Sequence, residues 1–286
     1  MKKKILVTGG AGYIGSHLCE ILSIDKSNKI TSLDDYSNGF VSNHVDGVNY
    51  IEGDIKYIDK LINFTPDIIY HLGEYSRVEQ SFEDINKVWS SNKDGIFSVL
   101  EFCRKSNSKL VYAGSSTKFG DGGLGRSQSP YAWTKASNTE LIENYGKWFG
   151  INYAITYFYN VFGGREVSSG KYATLIALFV EKYKNGQPLT VVSPGTQMRN
   201  FTYIDDIING IVLVGEKGYG DNFGIGCIKA YSILEIANLF GSEIEMIPER
   251  KGNRMSANVV CQKTINLGWR EKHSVEEYIK NIKNKN

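Results

Sequence analysis

Thr8-Gly9-Gly10-Ala11-Gly12-Tyr13-Ile14-Gly15 is the stretch on which the reading of this sequence turns. Lys4-Ile5-Leu6-Val7 before it has the composition of a buried strand. Gly15 to Ser23 after it carries Leu18, Ile21 and Leu22 at helical spacing, and Lys29 to Leu33 is the next apolar run. A glycine-rich turn between strand and helix lets backbone N–H groups approach a pyrophosphate, because glycine accepts tight turns and has no side chain to block the approach. Gly9 or Gly10 opens the turn, Gly12 continues it, and Gly15 lets the helix pack closely on the sheet. The helix N-terminus adds partial positive charge facing the phosphates. Asp34 ends the next strand, about 20 residues on, where a dinucleotide site needs its acid. A carboxylate there accepts hydrogen bonds from both ribose hydroxyls and repels a 2′-phosphate, so NAD is expected rather than NADP. A second acid, Asp54 in Gly53-Asp54-Ile55, follows the strand Val48 to Ile51. It either receives the adenine amino group or caps a helix.

The same alternation continues outward. Asp67 to Leu72 and Lys109 to Ala113 read as strands, with a long helical stretch, Asn92 to Arg104, between them. Pro130 to Phe149 is a further helix, leading to the strand Asn152 to Phe158. Strands alternating with helices imply a parallel sheet covered on both faces, an α/β Rossmann fold with a doubly wound parallel sheet. After about Gly164 the texture changes. An apolar helix, Leu175 to Tyr183, is followed by Pro188 to Val192, a turn at Pro194-Gly195 and an Asp-capped helix from Asp205. Asn222 to Ile225 reads as a strand and Ile233 to Leu239 as a helix. The expected division is a dinucleotide-binding domain over 1–165, with a return segment near 200–228, and a smaller C-terminal substrate domain from 166–199 and 229–286.

Bulk composition narrows the partners. The chain has 286 residues, 33 Lys+Arg and 31 Asp+Glu, a formal net charge of +2. That balance gives no electrostatic case for nucleic acid or an anionic membrane. The Lys residues at Lys2 to Lys4 and Lys280 to Lys285 read as solvated ends. Cys19, Cys103, Cys227 and Cys261 form no C-x-x-C pair and read as reduced and buried, which places the protein in the cytoplasm. His17, His44, His71 and His273 have no metal-ligand spacing, so no metal is expected. No apolar run approaches the ~20 residues that span a bilayer. The apolar run before Thr8 is too short for a signal peptide.

Tyr131-Ala132-Trp133-Thr134-Lys135 places Tyr131 and Lys135 at i and i+4 on one helical face. An ammonium beside a phenol favours the phenolate, which suits a tyrosine to acid–base work near neutral pH. The helix follows a strand that ends in Ala113-Gly114-Ser115-Ser116-Thr117. In a parallel sheet that strand end lies at the ligand crevice. There the Ser115 hydroxyl can hydrogen-bond a substrate oxygen.

With these residues on the page, the chain resembles the extended short-chain dehydrogenase/reductase superfamily, in its branch of NAD-dependent nucleotide-sugar epimerases and dehydratases. The resemblance runs over nearly the whole chain. It rests on the Gly9 to Gly15 turn, Asp34-Asp35, Gly53-Asp54, His71-Leu72-Gly73, Asn92, Ser115, Tyr131 with Lys135, Tyr159-Asn160-Val161-Phe162-Gly163, and Arg199-Asn200-Phe201-Thr202-Tyr203-Ile204-Asp205-Asp206. It implies a UDP-glucose 4-epimerase-like activity: Tyr131 as acid/base at the oxidised sugar hydroxyl, Lys135 on the nicotinamide ribose, Ser115 on the same sugar oxygen, and a transient 4-keto sugar. It also implies NAD contacts from Gly9, Gly12, Tyr13, Ile14, Gly15, Asp34, Asp35, Asp54, Ile55, Leu72, Gly73, Asn92 and Tyr159, besides Tyr131 and Lys135. A nucleotide-diphosphate sugar would meet Arg77, Ser115, Ser116, Thr117, Asn160, Arg199 and Arg250. For Arg199 and Arg250 the alternative is a surface ion pair. A homodimer through the Asn92 to Arg104 and Pro130 to Phe149 helices is implied too, although their apolar residues could equally be intrachain core.

Departures from the family pattern are informative. The 4,6-dehydratases carry Asp-Glu after the strand-end Ser/Thr, whereas Ser116 and Thr117 stand here, so dehydration is disfavoured. Asn200 replaces an Asp, and Lys118-Phe119-Gly120 replaces Val-Tyr-Gly. Glu74-Tyr75-Ser76-Arg77 replaces small residues. Glu74 and Arg77 could read a charged sugar such as a uronic acid, read a second phosphate, or pair with each other. The rival readings are a nucleotide-sugar 4-dehydrogenase, 4-reductase or dehydratase, and a non-catalytic NAD-binding regulator.

Overall fold

The computed structural model describes residues 3–170, 172–249, 255–256 and 258–285. The chain opens with β1 (Lys4–Thr8), α1 (Tyr13–Ile24), β2 (Lys29–Asp34) and β3 (Val48–Glu52). A short α2 (Ile58–Leu61) precedes β4 (Ile68–His71), and α3 (Ile85–Trp89) and α4 (Gly95–Ser106) precede β5 (Lys109–Ser115). Then come α5 (Pro130–Phe149), β6 (Tyr153–Phe158), β7 (Val161–Phe162), α6 (Leu175–Lys184), β8 (Leu189–Val192), β9 (Met198–Asn200), β10 (Thr202–Tyr203) and α7 (Ile204–Lys217). The chain returns as β11 (Gly220–Ile225) and ends through β12 (Ala230–Ser232), α8 (Ile233–Phe240), β13 (Ile244–Ile247), α9 (Gln262–Asn266) and α10 (Val275–Asn284).

Seven strands form one sheet in the order β3-β2-β1-β4-β5-β6-β11, and every pairing in it is parallel. The order reverses at β1, which pairs with both β2 and β4. A crevice opens there at the strand carboxyl ends. The alternation of side chains along β1 explains the two layers. Ile5 and Val7 pack with Leu18 and Leu22 of α1 and with Ile207 and Ile211 of α7. Leu6 points to the other face and joins Ile96 and Leu100 of α4 and Ile142 of α5. The sheet is therefore doubly wound.

A third core gathers Phe162, Phe179, Leu189, Val191, Ile236, Phe240 and Val275. It is framed by a parallel β8–β13 pair and an antiparallel β9–β12 pair. The chain then crosses back before α10. The Gly224 N–H donates to the Val260 carbonyl at 2.9 Å. The Trp269 indole donates to the Asp206 carbonyl at 2.8 Å, and its ring lies in the α1/α7 core. Among the described residues no helix is long and apolar enough to cross a membrane.

Two helix boundaries differ from the sequence reading. The helix expected from Asn92 begins earlier, as α3, and passes through a π-helical turn at Ser90–Asp94 before α4. The wider turn carries the buried Asn92 inward against the loop after β4. Asp205 does not cap α7: Tyr203 holds that position, and Asp205 and Asp206 lie in the first turn. Asp206 instead accepts the backbone N–H groups of Lys272 and His273 at 3.0 Å each, so a buried carboxylate ties the C-terminal segment to α7.

Candidate active site

A cavity of about 1050 Å³ runs along the carboxyl edge of the sheet. At one end lies the glycine turn. Gly9 has φ +74°, a left-handed conformation that favours glycine. A Cβ on Gly15 would stand 2.0 Å from the Gly9 carbonyl oxygen, so α1 cannot pack here with any side chain at that position. The first turn of α1 carries no acidic residue and no side-chain cap, and Tyr13, Ile14 and Gly15 line the cavity. The helix's partial positive charge meets no side chain of its own first turn, which fits a pyrophosphate. Asp34 also lines the cavity and is 6% exposed. Its carboxylate accepts N–H groups from Ala11 (2.8 Å) and Tyr36 (2.9 Å). Burial pushes its pKa up against those hydrogen bonds. Asp35, Asp54, Ile55, Leu72 and Gly73 line the same end. The Asp54 side chain also accepts the Lys56 N–H at 2.9 Å, so it caps a short helical turn as well as facing the cavity. These features fit NAD.

Two other residues implied as NAD contacts lie outside the lining. Asn92 is fully buried and clamps the loop after β4: its amide oxygen accepts the Tyr75 N–H at 2.8 Å and its Nδ2 donates to the Tyr75 carbonyl. The Tyr159 hydroxyl donates to the Asn258 carbonyl and accepts the Val260 N–H.

Ser115, Tyr131 and Lys135 all line this cavity. Local chemistry starts α5 where it is needed. The Ser129 hydroxyl caps the helix by accepting the Ala132 N–H, and Pro130 occupies the first turn. Tyr131 follows directly, 9% exposed, packed on Tyr75 and Val88. Ser115 ends β5 in the crevice, its hydroxyl 2.8 Å from that of Thr117. Lys135 is 5% exposed, and its Nζ donates to the Ala113 carbonyl at 2.5 Å.

Glu74 is the residue that sequence reasoning left unplaced. It pairs with Lys135, not with Arg77: Nζ and Oε2 are 2.6 Å apart, and both side chains are almost fully buried. The carboxylate also accepts from the Tyr112 hydroxyl (2.8 Å) and Asn138 Nδ2 (3.2 Å), and lies 3.4 Å from His71 Nε2. Burial alone would raise its pKa. The Lys135 charge, and hydrogen bonding to His71 and Lys135, outweigh burial and hold it below the ordinary carboxylate range.

Substrate-side expectations fall around the same cavity. Arg77, Ser116, Thr117, Asn160 and Arg199 line it. Asn160 has φ +36°, and its Nδ2 donates to the Asn200 carbonyl at 2.8 Å. Arg250 lies outside the described residues. Lys118, the departure at the strand end, pairs with Asp221 at 3.0 Å and locks β11 to the loop after β5. Glu166 was also missed: it accepts from the Gly163 N–H and the Thr174 hydroxyl, and burial pushes its pKa up to about 7 despite those bonds. No group of three or more His, Cys, Asp or Glu able to hold a metal occurs among the described residues.

The sequence profile of the NAD dependent epimerase/dehydratase family matches residues 5–226. An uncharacterized UDP-glucose epimerase of Bacillus subtilis is 30% identical over 274 residues, covering 87% of this chain and 83% of that one. The crystal structure of UDP-glucose 4-epimerase from Thermotoga maritima with UDP-glucose superposes with a TM-score of 0.89 at 26% identity, over 97% of this chain and 96% of that one. UDP-glucuronic acid 4-epimerase from Bacillus cereus, solved with UDP-glucuronic acid and NAD, gives 0.87 at 25% identity, over 99% of this chain and 100% of that one. Profile, full-length similarity and the glycine turn joined to a Ser115–Tyr131–Lys135 wall agree: this chain belongs to the NAD dependent epimerase/dehydratase family.

Proposed function

We propose that the protein epimerises a nucleoside-diphosphate hexose at C4 through a transient 4-keto sugar, with UDP-glucose/UDP-galactose as the reference pair. One observation carries this reading: Ser115, Tyr131 and Lys135 line the same cavity as the glycine turn and Asp34. When bound, NAD supplies the two-electron acceptor and donor at the sugar carbon. Tyr131 takes the proton of the C4 hydroxyl as the carbonyl forms and returns it when the carbonyl is reduced on its other face. Ser115 holds that oxygen throughout, and Lys135 stabilises the deprotonated phenol. Net loss of water has no support in the residues beside Ser115. Ser116 and Thr117 carry no carboxyl group, and Glu74 is engaged by Lys135. Asn160 and Arg199 would face the nucleotide and its diphosphate, with Arg250 beside them, and 166–199 with 229–286 would form the substrate domain. Incubation with UDP-, GDP- and dTDP-hexoses, followed by sugar analysis, tests the proposal. Interconversion of a C4 pair without accumulation of reduced nicotinamide is expected. Failure to interconvert any pair sinks it.

The homodimer reading is supported by an exposed aromatic surface on the helices that would pair. Trp89 stacks on Trp133 with ring centroids 5.9 Å apart. Phe97 on α4 and Trp148 and Phe149 on α5 are each more than half exposed. Apolar surface of this kind marks an interface in a protein with no membrane to cover it. Light scattering is expected to give twice the chain mass, falling toward the chain mass in Phe97→Glu. A wild-type protein of single-chain mass ends the idea. The cytoplasmic reading rests on the four cysteines, all free and buried.

A further inference from the structure

Arg77 carries a charge with no carboxylate partner among the described residues. It stands in the loop after β4 and lines the cavity. Its Nη2 donates to the Tyr172 carbonyl at 2.8 Å, and its Nη1 reaches only the neighbouring Ser76, at 3.3 and 3.4 Å. Its Nε is buried without a partner. Among the described residues no carboxylate lies within ion-pair distance of it. The ionisable groups facing it are the phenols of Tyr131, Tyr75 and Tyr172. Burial pushes the guanidinium pKa down, and those phenols oppose the shift.

Buried charges are ordinarily paired, so an unpaired guanidinium in a binding cavity calls for an anion from outside. Glu74 is three residues away in sequence and would have been the obvious partner. It is committed to Lys135, Tyr112 and Asn138. The Glu74–Lys135 pair is neutral overall and does not offset Arg77; Asp84 accepts the hydroxyls of Tyr75 (2.9 Å) and Tyr172 (3.1 Å). Val78, next to Arg77, packs against the Tyr75–Val88–Tyr131 cluster, so the Arg77 charge would lie near the sugar carbon that Tyr131 serves. Arg199, on β9, also lines the cavity and would be the cation for the substrate diphosphate. A planar guanidinium matches the two oxygens of a carboxylate.

We propose that Arg77 anchors a carboxylate on the sugar, so that the substrate is a nucleoside-diphosphate hexuronate; this rests on the nucleotide-sugar reading above. The test is calorimetric titration of the NAD-loaded protein with UDP-glucuronate and with UDP-glucose, in wild type, Arg77→Gln and Arg77→Lys. Wild type is expected to bind the uronate about 10- to 100-fold more tightly. The ratio should collapse toward one in Arg77→Gln, and part of it should survive in Arg77→Lys, which keeps the charge without the fork. If Arg77→Gln melts at a much lower temperature, the Arg77→Lys ratio decides, and a ratio equal to wild type counts against the proposal. A wild-type ratio near one overturns it, as does a preference that persists in Arg77→Gln. A protein that prefers the uronate but interconverts no sugar keeps the Arg77 site and sinks the epimerase reading. One that interconverts sugars without preference does the reverse.

Discussion

Tyr131→Phe is expected to turn over its nucleotide sugar about 10²- to 10⁴-fold more slowly than wild type, the usual loss when a positioned acid–base group is removed. The change is confined to one oxygen. The ring keeps its packing against Tyr75 and Val88, and the helix start, set by Ser129 and Pro130, is untouched. Folding should therefore survive, and NAD should still bind through the glycine turn and Asp34, which the substitution leaves unchanged. The measurement is kcat under saturating sugar, with a thermal melt and NAD titration as controls. A rate within tenfold of wild type at unchanged stability removes Tyr131 from the proton path. It would also favour a role for this fold that binds NAD without chemistry.

The parts of the site that can be read from sequence are those held by short-range rules. Glycine spacing, a strand before and a helix after expose the dinucleotide end, because Gly9, Gly12, Gly15 and Asp34 act through one βαβ unit. The i, i+4 spacing exposes Tyr131 and Lys135 for the same reason. Glu74 was opaque because its partners are far away in sequence: Lys135 is 61 positions on and Tyr112 is 38. Only the register of β4 against β5, with His71 opposite Tyr112, brings them together. The bulk of the loop after β4 was visible as a departure, but no local rule says whether a charged pair there closes on itself. Arg77 was legible as a cation and illegible in its isolation, which depends on where Glu74 turns. Asn92 resembles a cofactor residue in sequence, while the π-helical turn carries its side chain under the cavity wall.

Glu74→Ala is expected to destabilise the protein by about 3–5 kcal/mol, the range for breaking a buried ion pair by removing one partner. The Lys135 ammonium would keep the Ala113 carbonyl and the face of the Tyr112 ring but no counter-charge, at 5% exposure, and the Tyr112 hydroxyl and Asn138 amide would lose an acceptor. Urea denaturation at neutral pH measures it. Glu74→Gln separates charge from shape, because the amide fills the same space and keeps one acceptor oxygen. The sign of its pH dependence follows from the lowered pKa of Glu74. A carboxyl depressed in the folded state stabilises above its unfolded value of about 4.3 and loses that contribution as pH falls through the lower, folded value. The stability margin of wild type over Glu74→Gln should therefore be full at neutral pH and shrink only below about pH 4. A margin that stays constant into strong acid would mean that packing, not charge, sets the cost. Function should respond in the opposite sense. With the Glu74 charge gone, the Lys135 ammonium is no longer offset by a carboxylate at 2.6 Å, so Glu74→Gln should keep or gain kcat at neutral pH where it folds. Stability and activity then pull on Glu74 from two sides: the carboxylate holds Lys135 in place, and in doing so spends part of the field that Lys135 would otherwise direct at the reacting hydroxyl.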